Sequence, residues 1–79
     1  MEPKHAVLQK VRDGKRTYGV TPHIPGGFIT PKQLSKIAEV AQKYKGVLKM
    51  TSGQRIAILG LEAQDVSKVW DELGMSPAV

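Results

Sequence analysis

The chain has 79 residues, twelve basic and seven acidic side chains, a net charge of +5 and no cysteine. That length makes one small domain, burying only about 60% of the surface its unfolded form exposes, so partner chains are a common remedy for thin stability. With 41% apolar and 24% charged residues it reads as a folded domain, while the missing cysteine excludes disulfides, thiolate metal sites and any Fe–S cluster held by the chain's own ligands.

The charge is uneven. Residues 1–55 carry eleven basic side chains against Glu2, Asp13 and Glu39, whereas residues 56–79 carry Lys68 against Glu62, Asp65, Asp71 and Glu72. Such a surface either attracts anions or is merely well solvated. No apolar run approaches the ~18 residues of a membrane span. The early charges Lys4, Lys10 and Arg12 leave no signal-peptide core, so a cytoplasmic location is the default expectation.

Taken in order, residues 1–4 read as frayed. His5 to Arg12 alternates as a strand, and Asp13-Gly14 signals a hairpin turn. Arg16 to Ile24 reads as the returning strand, with Tyr18 and Val20 on one face. It should end near Pro22 and Pro25, which lack amide donors. Pro25-Gly26-Gly27 then breaks the chain.

Thr30-Pro31-Lys32-Gln33 predicts a capped helix start, with Leu34, Ile37, Ala38, Ala41 and Tyr44 as its apolar stripe. Gly46 is expected to end it in the left-handed conformation. Val47 to Thr51 and Gln54 to Leu59 read as strands around a Ser52-Gly53 turn. Val66, Val69, Trp70 and Leu73 line a second helix, which Gly74 ends. Residues 75–79 read as a tail.

The predicted order is ββαββα, an α+β domain with an antiparallel or mixed sheet and both helices on one face. Residues 1–15 supply an N-terminal hairpin strand and turn, and residues 16–74 a βαββα core. That core is a ferredoxin-like unit lacking its last strand, whose place the N-terminal strand can take. The other sheet face is left open to a partner.

No self-contained active site emerges. Ser35 and Ser52 have no adjacent His/Asp arrangement, and the two histidines have too few carboxylates around them for a metal site. Gly26 and Gly27 either let the backbone approach a ligand or simply make a strand-to-helix connection. Lys49 and Arg55, with Arg12 and Arg16, either line a cationic sheet face or are solvated. Tyr18 is the lone strand aromatic, which disfavours a sheet-face nucleic-acid binder.

The Pro25-Gly26-Gly27-Phe28-Ile29-Thr30 segment before a helix, followed by Thr51-Ser52-Gly53-Gln54 between strands, resembles the ferredoxin-like half domain of siroheme-dependent nitrite and sulfite reductases. The similarity runs from about Tyr18 to Leu73. It implies a half domain that pairs with another and lends basic residues to siroheme carboxylates or to an anionic substrate. The cofactor-contacting positions it implies are His23, Gly26, Gly27, Thr51, Gln54 and Arg55.

It implies no catalytic residue and no metal ligand in this chain, and no cofactor held by it alone. Siroheme would be shared with a partner, either a second copy or an Fe–S siroheme subunit. Two positions depart from the pattern: His23 and Gly53 stand where the reductases often carry arginine. The resemblance therefore implies an accessory or binding module. The alternatives are a subunit completing a multi-chain reductase and a regulatory or structural module without ligand binding.

Overall fold

The computed structural model describes residues 5–12, 15–24, 28–51 and 55–77. Its elements are β1 (Val7–Arg12), β2 (Lys15–Val20), α1 (Pro31–Lys43), β3 (Val47–Met50), β4 (Ile56–Leu61) and α2 (Ala63–Leu73). The strands form one open sheet in the order β1-β2-β4-β3, every neighbour antiparallel. This is the α+β ferredoxin-like half domain, with β1 beside β2 in the place of the absent last strand.

The core lies between this sheet and the helices. Tyr18, Val20, Ile56, Ile58 and Leu61 meet Ile37, Val40 and Ala41 of α1 and Val66, Val69 and Leu73 of α2. A bulge makes this possible. Tyr18 opposes Leu61 and Val20 opposes Ile58, so β4 takes three steps where β2 takes two. The surplus is absorbed near Gly60, at φ 81°. Without it Leu61 would share the opposite face with Leu59. With it, Leu61 is fully buried.

Helix α1 begins as expected. Thr30 Oγ1 accepts from the Gln33 amide at 3.1 Å, and Gln33 Oε1 accepts from the Thr30 amide at 3.0 Å. Its end differs from expectation. Gly46 donates to Ala41 O and Lys45 to Gln42 O, a Schellman pair in which Lys45, not Gly46, takes the left-handed conformation at φ 58°. Glycine is needed at position 46 for space: a Cβ there would lie 2.7 Å from Ile58 Cγ2 and 3.2 Å from Leu59 O.

The buried stripe of α1 is also turned from the expected one. Ile37, Val40 and Ala41 are buried and Tyr44 is half-buried, whereas Leu34 and Ala38 are exposed. Trp70 is half-buried as well, packed on the rim of the core.

The strand ends shift for local reasons. His5 has φ 58°, which no strand residue adopts, so β1 starts at Val7. β2 stops at Val20, two residues before Pro22, and β4 runs on to Leu61. The expected tail is docked. Pro22 bridges Pro77, and the His23 amide donates to Ser76 O at 2.7 Å. The expected Asp13-Gly14 turn lies outside the described residues, as do the glycines of the Pro25-Gly26-Gly27 break and the Ser52-Gly53 turn.

Candidate anion-binding cleft

Where the β3–β4 hairpin closes, backbone and side chain of one residue grip another. The Thr51 amide donates to Arg55 O at 2.8 Å, and the Arg55 amide donates to Thr51 Oγ1 at 3.2 Å. Since Thr51 Oγ1 is the acceptor in that bond, its own O–H is not consumed by it.

Thr51 and Arg55 line a cleft of about 450 Å³. Thr21, just beyond β2, forms another part of its wall. His5, Ala6 and Val7 enter from the segment leading into β1, and Pro77 from the docked tail. No aspartate or glutamate is among these lining residues. Arginine and threonine among the described lining residues, with no acid beside them in that set, suit an acceptor-rich anion, because charge-assisted bonds to carboxylates and oxyanions exceed neutral ones in strength.

The structure brings together two of the six positions implied by the sequence, Thr51 and Arg55. His23 is exposed and is not among the residues lining the cleft; its amide is engaged by Ser76. Gly26, Gly27 and Gln54 lie outside the described residues. Of the basic residues expected to share one sheet face, Arg16 departs from it. Lys49 opposes Ala57 on the face away from the helices. Arg16 instead lines a separate cleft with Glu62 and Gln64 at the start of α2.

Sequence reasoning passed over His5, Thr21 and Pro77. His5 reads in sequence as the first residue of a strand and Pro77 as part of a tail, and nothing local marks Pro77 for pairing with Pro22, since neither carries an amide hydrogen.

A second polar group lies in the helix layer, joining α1 to α2. Glu72 accepts from Lys43 Nζ at 2.9 Å and from the Tyr44 hydroxyl. The Lys43 hydrogen bond first, and then that from Tyr44, hold the Glu72 carboxyl below its ordinary range. The same carboxylate raises both Lys43 and Tyr44. None of the three lines the cleft, so their role is to tie the two helices.

Residues 9–76 match the nitrite/sulfite reductase ferredoxin-like half domain. The chain is 41% identical over 73 residues to an assimilatory-type sulfite reductase of Nitratidesulfovibrio vulgaris, covering 91% of this chain and 32% of that protein. It is 45% identical over 75 residues to a nitrite reductase [NAD(P)H] of Bacillus subtilis, covering 94% of this chain and 9% of the relative. With the nitrite reductase (NADH) large subunit of Escherichia coli it shares 32% over 80 residues, which is 92% of this chain and 9% of the relative. The chain thus spans about a third of the first relative's length and about a tenth of the other two.

Proposed function

Because the chain belongs to the nitrite/sulfite reductase ferredoxin-like half-domain family, we propose that it is a binding or accessory module for an anionic site, non-catalytic alone, working with a partner chain in the cytoplasm. The ligand class is a carboxylate of siroheme or a related tetrapyrrole, or a small oxyanion. The observation that carries this reading is the convergence of Arg55, Thr51 and Thr21 on one cleft that has no acid among its described lining residues.

The lining fits one carboxylate or one small oxyanion. Arg55 brings a planar, permanently charged guanidinium to this wall, and Thr51 and Thr21 bring hydroxyl groups. A siroheme carries several carboxylates, and one arginine does not answer them all. The remainder of such a cofactor falls to the partner, and siroheme bound there would supply the redox chemistry. This chain's own part is to bind and orient an acidic group, with Ala6, Val7 and Pro77 forming another part of the wall.

A second reading has its own support. The relatives are three to eleven times longer than the stretch matched here, which favours a subunit that completes a reductase whose catalytic part lies elsewhere.

Titration of the protein with siroheme, nitrite and sulfite, followed by absorption and calorimetry, tests the proposal. A saturable signal with at least one of them is expected. No signal with any of the three at millimolar anion and low salt would remove it.

A further inference from the structure

Residues 75–77 carry no charge, yet they help to shape the anion cleft. Gly74, at φ 62°, ends α2 in the left-handed conformation and lets the chain leave the helix. Met75 is then half-buried against the core. Ser76 O accepts from the His23 amide at 2.7 Å, and Pro77 bridges Pro22 in antiparallel fashion. Pro22 is fully buried, so the bridge is anchored on the side of the sheet.

Both halves of this bridge reach the cleft wall. Pro77 lines the cleft itself, and Pro22 directly follows Thr21, which also lines it. Thr51 and Arg55 come to the same cleft from the β3–β4 hairpin. The wall is therefore complete only while the end of the chain lies beside the continuation of β2.

The hold on that segment is slight. Proline at both bridge positions fixes φ but supplies no donor. Among the described residues, the backbone bond from the sheet to the tail is the one from the His23 amide. A segment held by such a bond and one half-buried side chain belongs to the part of a fold that opens first. Its docking is an equilibrium that a ligand can bias.

We propose that residues 75–77 are a strap. Docked on Pro22 and His23, they hold the cleft in its anion-binding form; undocked, they leave its wall incomplete. The inference rests on the anion reading of the cleft. It gives Ser76 and Pro77 a positioning role, and gives His23 one through its backbone amide and not its ring. The strap brings no charge, so it adds no attraction for the anion; it lowers the ordering cost of binding. Coupling is reciprocal: docking that strengthens anion binding is itself strengthened by the anion, by the same factor.

Hydrogen exchange at the His23 amide reads docking in the native chain, without any substitution. Saturation with sulfite or with siroheme should slow it about tenfold, within the usual range of coupling between two sites. A chain ending at Gly74, and His23→Pro, which removes the donor, should each bind the same ligand about tenfold more weakly by calorimetry. His23→Ala keeps the amide and should bind like the native chain. Circular dichroism checks that the variants are folded, and if the two strap variants are not, the exchange measurement decides. Exchange unmoved by a ligand that binds, or undiminished affinity in both strap variants, overturns the strap and leaves the anion reading standing. An equal loss in His23→Ala assigns the effect to the ring and also overturns the strap. A native chain that binds neither sulfite nor siroheme overturns both.

Discussion

Gly46 stands so near Ile58 that a methyl group on it would lie 2.7 Å from Ile58 Cγ2. Ile58 is fully buried at the centre of the sheet and cannot move aside freely. The second neighbour, Leu59 O at 3.2 Å, is backbone and yields even less. Gly46→Ala should therefore cost about 1–3 kcal/mol through overpacking. Urea denaturation measures it; a loss below about 0.5 kcal/mol would mean that the β3 entry relaxes outward.

Lys45 carries the strain that glycine would relieve. Its φ of 58° closes the α1 terminus, and a residue with a Cβ pays about 1–2 kcal/mol for that conformation. Glycine loses more freedom on folding, which offsets part of the gain. Lys45→Gly should stabilise by about 0.5–1 kcal/mol, seen as a higher denaturation midpoint with unchanged slope. The pair Gly46→Ala and Lys45→Gly thus has opposite signs at adjacent positions.

The same two residues show what was legible in the sequence. A glycine at a helix end announced a terminus, and the terminus is there. Whether it serves conformation or space depends on a strand twelve residues further on, which no local pattern encodes. The Thr30–Gln33 box was legible because every partner lies within four residues. The cleft was half legible: Thr51 and Arg55 are neighbours across one turn, but His5 and Pro77 arrive from opposite ends of the chain. Leu34 fits the apolar spacing of α1 and is nevertheless exposed, because β3 ends the sheet beneath it.

Thr30→Ala should remove one amide partner at the α1 start and strand the reciprocal Gln33 bond. The expected loss is about 1 kcal/mol. Thr30→Ser should retain most of the stability, since the hydroxyl is kept. Equal losses for both variants would show that the methyl group, and not the cap, matters at this position.

The tie between Lys43, Tyr44 and Glu72 predicts a pH window. Glu72 is lowered in the folded chain, so its contribution is present above the unfolded carboxylate pKa and lost as pH falls through the lower folded value. Lys43 and Tyr44 are raised, so theirs is present below their unfolded values and lost as pH rises through the higher folded ones. The difference in melting temperature between the native chain and Glu72→Gln should be flat from about pH 6 to 9. It should shrink at both extremes. The side chains of Lys43 and Glu72 are 59% and 31% exposed, so the plateau should be small and should fall in high salt. A difference unchanged at pH 2.5 contradicts the assignment.

Arg55 and Lys49 separate the cleft from the general positive charge of the sheet. Arg55 lines the cleft, whereas Lys49 lies two strand positions before Thr51, outside the lining. If the anion is held by directed bonds, Arg55→Ala should weaken siroheme or oxyanion binding about 10–100-fold, the worth of one charged hydrogen bond or a pair. Lys49→Ala should change it less than twofold. Thr51→Val should act twice over: it removes a hydroxyl donor from the cleft, and it strips the Arg55 amide of its 3.2 Å partner, loosening the residue that carries the charge. Its binding loss should therefore approach that of Arg55→Ala, accompanied by about 1 kcal/mol of lost stability. Binding of a diffuse cationic face would lose similar affinity with either Arg55→Ala or Lys49→Ala and none with Thr51→Val, and calorimetric titration of the three variants at one fixed ionic strength distinguishes the two patterns.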